Sequence, residues 1–244
     1  MKYGLIGYPI THSFSPAYFR DKFENLGLMA KYELFPLEHI ETISELVKRE
    51  NLSGFNVTIP HKSAIIALLD EVDEATLTIG AVNTVVVQNG KMKGYNTDVI
   101  GFEKSLLKLI ISPQNITKAL VLGMGGSAKA VTYILDKLKI DYSIVNRTRS
   151  IISYEKLTKD ILKEYNLIIN TTPLGMYPNV DICPKIPYEA IDKKYFLYDL
   201  IYNPEKTLFL SEGLKRGAKT MNGHDMLMLQ AEAAWEIWNK ELKP

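Results

Sequence analysis

Cysteine is almost absent from this chain, and that absence excludes two kinds of site. Cys183 is the only cysteine among 244 residues, so no disulfide can form within the chain and a cysteine-rich metal site is ruled out. Its neighbours Ile182 and Pro184 bring no base that would activate the thiol. We therefore expect no metal site and no cysteine nucleophile.

An excess of charge of one sign and long apolar runs are also missing. The 29 basic residues nearly balance the 28 acidic residues, whereas binding to nucleic acid or to a membrane surface calls for a basic patch. No apolar run reaches the roughly 18 residues of a membrane span, and residues 1–7 are too short an apolar segment for a signal peptide. We expect a cytoplasmic protein that binds neither nucleic acid nor membrane.

What the sequence does contain is an alternation of short apolar runs with segments of helical periodicity, which is typical of an α/β protein with a mainly parallel sheet. Ser15 is predicted to cap a helix whose first residue is Pro16. Asn89-Gly90 predicts a hairpin, and a hinge between two domains is expected near residues 98–105. Strands are predicted over residues 3–7, 30–35, 54–59, 82–87, 91–95, 119–122, 142–145, 167–170 and 196–200, and helices over 16–27, 40–49, 99–109, 127–138 and 225–241.

A glycine-rich loop follows one of the predicted strands and opens a predicted helix. In that context the pattern is typical of dinucleotide binding. Gly123 permits a tight turn, Gly125 lets backbone approach a pyrophosphate, and Ala128 is small enough for the helix to pack closely on the strand. A tight strand–helix turn without a ligand is the alternative. The whole loop comprises Gly123, Met124, Gly125, Gly126, Ser127 and Ala128.

The end of the next predicted strand indicates which dinucleotide binds. An NAD enzyme usually has Asp or Glu there, about 20 residues beyond the glycines, to hold the ribose 2′-hydroxyl. This chain has Asn146-Arg147-Thr148-Arg149 instead. A carboxylate would repel a 2′-phosphate, whereas a guanidinium can bind it bidentately and stack on adenine. The segment favours NADP over NAD and over S-adenosylmethionine, with a ligand-free basic loop as the alternative.

Nine segments resemble motifs of the shikimate dehydrogenase family, and they follow that family's order along almost the whole chain. Among them are Asn-Val-Thr-Ile-Pro-His-Lys at 56–62, Asn-Thr-Asp-Val-Ile-Gly at 96–101 and Asp-Leu-Ile-Tyr-Asn-Pro at 199–204. The others are residues 12–16, 80–84, 123–128, 146–148, 170–176 and 223–230. Such an ordered set is hard to obtain without membership of the family.

The resemblance implies an NADP-dependent dehydrogenase that reduces 3-dehydroshikimate to shikimate on the route to chorismate and the aromatic amino acids. It implies a three-layer α/β substrate-binding domain with a mixed, mainly parallel sheet over residues 1–99. A Rossmann domain for NADP would follow over residues 100–223. The last helix, within residues 224–244, would return to the first domain, and the protein would be a monomer or a homodimer.

The resemblance also implies roles for individual residues, with Lys62 and Asp98 as the catalytic pair. Ile151 stands where many members have a second basic residue, which leaves Arg149 to substitute. The residues that would face substrate are Ser13, Ser15, Thr58, Lys62, Asn83, Asp98, Tyr202 and Gln230. Those that would hold NADP are the glycine loop together with Asn146, Arg147, Thr148, Arg149, Leu200 and Gly223.

The chemistry of the residue types is compatible with these roles. Hydride addition to a ketone builds negative charge on oxygen, and a proton must reach that atom. Lys62 follows an apolar strand and Asp98 follows the hairpin, so both are expected at strand ends, where open α/β sheets bind ligands. Structural interpretations stay open: Lys62 as a surface lysine, Asp98 or Ser15 as a helix cap, Thr58 as a buried hydroxyl and Tyr202 as a core aromatic.

Two other functions stay open at this point. One is a relative that acts on quinate, or on both substrates, with NAD or NADP; Ser13 and Ser15 leave room and hydroxyls suited to shikimate. The other is a non-catalytic NADP-binding sensor on the same fold. Such a sensor would not need a proton donor, so the presence of both Lys62 and Asp98 counts against it.

Replacement of Arg147 by alanine tests the choice of dinucleotide. A charge-assisted contact to phosphate is worth roughly 1.5–3 kcal/mol, so we expect Arg147→Ala to weaken NADP binding by about ten- to a hundredfold. NAD lacks the 2′-phosphate, so its affinity should hardly change. Titration of both dinucleotides against wild type and variant measures this, and a wild type that uses NADH as well as NADPH would contradict the argument.

Overall fold

The computed structural model describes residues 1–11, 13–146 and 152–241. Within these residues the chain forms two compact units, one made of Met1–Thr97 with the chain from Ala231 onward and the other of Asp98–Gln230. The sequence placed the corresponding boundaries at residues 99/100 and 223/224. The second boundary therefore lies seven residues further along, inside the last helix.

The first unit contains a mixed six-stranded sheet in the order β2-β1-β3-β5-β6-β4. Its strands are β1 Lys2–Gly7, β2 Lys31–Pro36, β3 Gly54–Val57, β4 Glu71–Val72, β5 Thr84–Gln88 and β6 Lys91–Tyr95. Strands β2, β1 and β3 are parallel, whereas β5 runs antiparallel to both β3 and β6. Its helices are α1 Ser15–Asn25, α2 Ile43–Glu50 and α3 Glu74–Ile79.

Apolar residues on the two faces of this sheet belong to two separate cores. Ile6 and Val85 pack with α2 in one core, and their chain neighbours Leu5 and Val86 pack with α1 in the other. Successive strand residues point to opposite faces, so the alternation places helices on both sides. This is the three-layer arrangement that the resemblance implied.

The second unit contains a parallel sheet in the order β12-β11-β10-β7-β8-β9. Its strands are β7 Ala119–Leu122, β8 Tyr142–Asn146, β9 Ile152–Ser153, β10 Leu167–Asn170, β11 Phe196–Asp199 and β12 Lys219–Met221. Its helices are α4 Asp98–Ile110, α5 Gly126–Lys137, α6 Lys159–Leu162 and α7 Leu208–Leu214, and α8 His224–Glu241 begins in it. This is the doubly wound dinucleotide-binding order. Successive strands are added on one side of β7 up to β9 and on the other side from β10 onward, so the order reverses between β7 and β10.

The predicted hairpin is confirmed, and the predicted cap of α1 is wrong. Asn89 and Gly90 both have positive φ, 52° and 77°, as a two-residue hairpin turn of this kind requires. Ser15 is itself the first residue of α1, and Phe14 occupies the cap position without a side-chain hydrogen bond. The Ser15 hydroxyl instead hydrogen-bonds the Tyr32 phenol inside the first unit. A buried hydroxyl partner thus takes precedence over capping.

Helix α8 contributes to both cores with different residues. Met226, near its start, packs in the main core of the second unit, which explains why residues 224–230 do not belong with the first unit as the sequence suggested. Trp235 and Trp238 pack in the first unit. No helix in residues 1–11, 13–146 and 152–241 is long and apolar enough to cross a membrane.

Trp238 is a central residue of the first unit. It is fully buried, its ring lies 4.7 Å from that of Tyr3, and its Nε1–H donates to the Val85 carbonyl at 2.9 Å. An added Cβ at Gly54 would lie 2.6 Å from that nitrogen, so the strand has no room for a side chain there. The end of α8 is therefore an integral part of this core.

Substitution of Trp238 should destabilise the first unit in two steps. We expect Trp238→Ala to lower the free energy of unfolding by about 3–5 kcal/mol, the usual cost of deleting a buried aromatic side chain. Trp238→Phe keeps a ring and loses the Nε1 hydrogen bond, so its loss should be nearer 1–2 kcal/mol, a roughly bond-sized effect. Urea unfolding measures both, and equal losses for the two variants would contradict this account of the packing.

Candidate active site

Strand directions in the first unit bring several polar segments to one edge of its sheet. Strands β1 and β3 are parallel, so the residues that follow them share that edge. Asn56 of β3 lies opposite Thr84 at the start of β5, and Thr84 lies opposite Tyr95 at the end of β6. Thr58, Asn83 and Thr97 are therefore neighbours at this edge, although they are far apart in sequence.

Hydrogen bonds to neighbouring threonines fix the side chain of Asn83. Its Oδ1 accepts from the Thr97 amide at 2.7 Å and from the Thr84 hydroxyl at 3.1 Å, and its Nδ2 donates to the Thr97 hydroxyl at 3.0 Å. Only 3% of Asn83 is exposed. In a buried setting each of these bonds would be costly to lose, so the orientation of the amide is fixed.

A second chain of hydrogen bonds supports Asn83 from β3 and β2. Asn56 Nδ2 donates to the Asn83 carbonyl at 3.1 Å and to the Thr84 hydroxyl at 3.0 Å. The Tyr32 phenol donates to Asn56 Oδ1 at 2.8 Å and accepts from Ser15. Burial raises the pKa of Tyr32 above its ordinary value, and the bond from Ser15 partly offsets this. The phenol is thus neutral and acts as a donor.

The turn that carries Lys62 is fixed by backbone and side-chain contacts. The Thr58 amide donates to the Ile6 carbonyl at 2.8 Å, and the Val82 amide donates to the Lys62 carbonyl at 2.7 Å. His61 is buried, with its Nε2 2.6 Å from the Leu37 carbonyl. Because its backbone is bonded at both ends, the turn presents Lys62 from a defined position.

In the second unit, the glycine loop connects β7 to α5 at the carboxyl edge of the sheet. Gly123 has φ of +114°, and an added Cβ would lie 2.5 Å from the Thr171 hydroxyl. Gly125 has φ of −75°, and a Cβ there would meet nothing within 4 Å. Ala128 is buried in the core beneath the first turn of α5. Gly123 is therefore needed for the turn itself, whereas Gly125 leaves open space beside the helix N-terminus.

Two polar residues end β10 and β11, the two strands that follow β7 on one side of the sheet. Asn170, the last residue of β10, donates from Nδ2 to Asp199 Oδ1 at 3.0 Å, and its Oδ1 accepts from the Thr172 amide at 3.0 Å. Asp199 ends β11 and is fully buried. Burial raises the pKa of Asp199 to about 6, although hydrogen bonds from Thr207, Ile201 and Asn170 lower it.

The loop after β11 is packed tightly against the start of α8. The Gly223 amide donates to the Ile201 carbonyl at 3.0 Å, and an added Cβ at Gly223 would overlap the Leu200 carbonyl oxygen. The Leu200 amide donates to the Asn170 carbonyl at 3.0 Å. Any side chain at Gly223 would displace this loop.

These features of the second unit suit a dinucleotide. The strand order reverses at β7, where open α/β sheets bind ligands. The loop after β7 contains Gly125, beside which there is open space, and it leads into a helix whose N-terminal amides and dipole favour an anion. A pyrophosphate placed there would meet backbone rather than side chains. The residues present therefore fit the cofactor that the sequence predicted.

Comparison with known proteins identifies the family. Residues 5–85 match the family model for the shikimate dehydrogenase substrate binding domain. A protein of Methanococcus maripaludis named shikimate dehydrogenase (NADP(+)) is 42% identical, with 96% of this chain and 90% of that protein covered. The chain belongs to the shikimate dehydrogenase family.

Solved structures of the family superpose closely on this chain. A shikimate dehydrogenase crystallised with NADP+ has a TM-score of 0.86 at 36% identity, with coverage of 98% of this chain and 90% of that one. The Thermus thermophilus enzyme in complex with NADP(H) and shikimate has a TM-score of 0.86 at 32% identity, with coverage of 98% and 94%. The predicted family, two-part α/β fold and class of NADP-dependent oxidoreductase are confirmed.

The structure places the residues assigned from the sequence in two groups, and their roles stay predictions. Ser13, Ser15, Thr58, Lys62 and Asn83 belong to the first unit. Arg147, Thr148 and Arg149, on which the preference for NADP rests, lie outside the described residues. In the second unit are Asp98, Tyr202, Gln230, Leu200, Gly223, Asn146 and the glycine loop, Gly123, Met124, Gly125, Gly126, Ser127 and Ala128.

Several buried polar residues that hold these groups have no role predicted from the sequence. Asn56 and Asp199 lay within motifs of the family, but their partners were not foreseen. Each stands in or directly after an apolar run, which is the available signal, because a polar residue buried there must be hydrogen-bonded. The partners themselves depend on strand pairing.

The two outer glycines of the loop offer a matched pair of variants. Gly123→Ala should cost about 1–3 kcal/mol of stability, because alanine is strained at that φ and meets Thr171. Gly125→Ala should leave stability within about 0.5 kcal/mol and weaken NADP+ binding by about tenfold or more, since a methyl group would occupy the open space. Thermal unfolding without ligand and a dinucleotide titration measure the two effects. Unimpaired NADP+ binding by Gly125→Ala would contradict the assignment of the loop.

Proposed function

We propose that the chain catalyses the reversible, NADPH-dependent reduction of 3-dehydroshikimate to shikimate. The observation that carries the proposal is the fixed polar edge of the first unit. Buried hydrogen bonds fix the Asn83 side chain, and backbone hydrogen bonds fix the neighbouring turn that carries Lys62. Asn83 and Lys62 belong to residues 5–85, the part that resembles the substrate binding domain. Relatives that are named for this activity support the same assignment.

Substrate recognition is assigned to the first unit and to selected residues of the second. Shikimate carries a carboxylate and several hydroxyls, which require short, well-fixed donors and acceptors. The amide of Asn83 has that rigidity, and the Ser15 hydroxyl has to be shared with Tyr32. The proposed substrate contacts are Ser13, Ser15, Thr58, Lys62, Asn83, Asp98, Tyr202 and Gln230.

NADP is assigned to the carboxyl edge of the second sheet. The glycine loop and the N-terminus of α5 would receive the pyrophosphate, Asn146 to Arg149 the adenosine 2′-phosphate, and Leu200 and Gly223 the nicotinamide. When bound, NADPH supplies the hydride that reduces the ketone carbon. The chain's own residues must then orient the substrate and deliver a proton.

Proton delivery is assigned to Lys62, with Asp98 as its partner. An ammonium group suits ketone reduction, because both a proton and a positive charge are needed where an alkoxide develops. The carboxylate partner would orient the lysine and the reacting hydroxyl. In the reverse direction Lys62 must accept a proton, so we expect shikimate oxidation to improve toward alkaline pH.

The remaining assignments follow from the proposed reaction. The first unit would be the substrate-binding domain and the second the NADP-binding domain. The partners would be small molecules, with a monomer or a homodimer as the working form. The cytoplasm would be the site of this biosynthetic step.

One assay tests the proposed function directly. The loss of NADPH absorbance is followed with 3-dehydroshikimate, and the same measurement is made with NADH. The reverse reaction is then measured with shikimate and with quinate. We expect the NADP pair and shikimate to be preferred; faster quinate oxidation would identify a quinate dehydrogenase, and NADP binding without turnover of either substrate would indicate a non-catalytic sensor.

Two variants test Lys62: methionine removes its charge and keeps its length, and alanine removes both. Lys62→Met and Lys62→Ala should both lower single-turnover rates by about 10²–10⁴-fold, the range for a positioned acid–base group, while NADP+ and shikimate still bind. Lys91→Met, an exposed lysine at the start of β6 on the opposite edge of the sheet, is the matched control. Rates for Lys62→Met within a few-fold of wild type would remove Lys62 from the mechanism.

A further inference from the structure

Asp199 is a buried carboxylate for which the proposed reaction has no use. It is fully buried, and within the described residues its carboxylate accepts three hydrogen bonds. Oδ1 accepts from Asn170 Nδ2 at 3.0 Å and from the Ile201 amide at 3.1 Å, and Oδ2 accepts from the Thr207 hydroxyl at 2.6 Å. Three donors match the acceptor-only character of the ionised acid.

The three donors come from three different segments of the second unit. Asn170 ends β10, Ile201 lies in the loop after β11, and Thr207 caps α7 by accepting from the Leu210 amide at 3.3 Å. The hydroxyl of Thr207 thus accepts from Leu210 and donates its hydrogen to Asp199. A single carboxylate thus links the end of one strand to both ends of the next loop.

Asn170 extends this linkage to the loop after β10. Its Oδ1 accepts from the amide and the hydroxyl of Thr172, at 3.0 Å and 2.6 Å, and Thr172 in turn accepts from the Leu174 amide at 3.3 Å. The segments 171–174 and 200–207 are therefore organised around Asp199. Both follow carboxyl ends of strands, on the side of β7 away from β8 and β9.

That side corresponds to one half of a dinucleotide. A doubly wound sheet consists of two mononucleotide-binding halves, and the proposed 2′-phosphate residues follow β8. The nicotinamide half is therefore left to the loops after β10 and β11. Leu200, which is bonded to Asn170 through its amide, lies in the segment that Asp199 holds.

The charge of Asp199 is expensive to bury. No lysine, arginine or histidine in the described part of the chain forms an ion pair with it, and a buried ion without a counter-ion is destabilising. The groups that interact with it electrostatically across the unit are Tyr188 and Tyr198. Burial raises the pKa of both phenols, so both are neutral at working pH. A neutral residue would be cheaper here if packing alone mattered.

We propose that ionised Asp199 is a positioning residue that holds segments 171–174 and 200–207 in the arrangement required by the nicotinamide half of the dinucleotide. This inference rests on the proposed function for the identity of the ligand. The linkage itself is a property of the free protein.

The pH dependence has a defined sign. Burial raises the pKa of Asp199 from 3.8 to about 6, so the carboxylate is protonated as the pH falls through 6 and loses its fit to three donors. Because the folded pKa is above the unfolded one, the contribution of Asp199 to stability is greatest below 3.8 and is lost as the pH rises through 6. Protonation of Asp199 below pH 6 should therefore weaken nicotinamide binding without destabilising the fold through this group.

The test compares Asp199→Asn with a control in the same strand. Tyr198→Phe removes a buried hydrogen bond of 2.6 Å to Ser105 from the opposite face of β11, so it reports on general destabilisation. Thr207→Val deletes one donor to Asp199, and Thr207→Ser retains it. Circular dichroism and thermal unfolding confirm that each variant is folded; if Asp199→Asn is not, the Val/Ser pair decides.

Binding and amide exchange provide readouts besides activity. We expect Asp199→Asn and Thr207→Val to weaken NADP+ binding by about tenfold and to leave unchanged the binding of 2′,5′-ADP, which lacks the nicotinamide. The amides of Thr172 and Ile201 should exchange faster in the free variants because their acceptors are disturbed. Tyr198→Phe and Thr207→Ser should match wild type in both measurements.

Kinetics and pH complete the test. Single-turnover hydride transfer in Asp199→Asn should fall by about ten- to a hundredfold, as expected for a misplaced reactant. In wild type the ratio of NADP+ affinity to 2′,5′-ADP affinity should decrease as the pH is lowered through 6. In Asp199→Asn this ratio should not change with pH. Equal loss of both ligands, or unchanged exchange at Thr172 and Ile201, would overturn the positioning role. A wild type that fails to oxidise NADPH with 3-dehydroshikimate would overturn the proposed function instead, and binding and exchange would still decide on Asp199.

Discussion

Hydrogen bonding of polar side chains buried at the ends of apolar strands is the constraint on which both units depend, because such groups are costly to leave without partners. In the first unit Asn56 and Asn83 meet this requirement with each other and with Thr84. In the second unit Asn170 and Asp199 bond to each other and to the loops beyond their strands. Each network therefore determines where a strand ends and how its loop leaves the sheet, and the proposed ligand-binding groups lie on those loops.

The two networks differ in charge, and the difference has physical consequences. The first contains only amides and hydroxyls, so its geometry should be insensitive to pH over the range in which the protein is folded. The second is centred on a carboxylate whose pKa burial raises to about 6. A charged acceptor forms stronger hydrogen bonds than a neutral one, but the energy of burying it is offset only while all three donors are present. Rigidity of the second network thus depends on ionisation, whereas that of the first depends on hydrogen bonds between neutral groups.

Much of the fold could be predicted because its central strands are apolar and buried on both faces. The predicted bounds of β7 and β10 agree with the structure to the residue. The elements that were missed, among them β4, β9 and the helices α3, α6 and α7, contain two to seven residues, too few to show a clear period. Ser15 shows a second limit. A serine before a proline predicts a cap, but the competing partner Tyr32 belongs to strand β2, and the local sequence around Ser15 does not reveal that contact.

The candidate site divides in the same way into what is local and what depends on pairing. The glycine loop could be predicted because its function depends on consecutive residues between a strand and a helix. The motif does not distinguish Gly123, which the turn requires for its φ and its contact with Thr171, from Gly125, around which space is open. Of the partners of Asp199, Asn170 lies 29 residues away in sequence and meets it only because β10 and β11 pair in register. A residue inside a family motif can therefore be required for the backbone conformation, for ligand binding or for the position of another loop. Only the three-dimensional contacts show which of these roles it has.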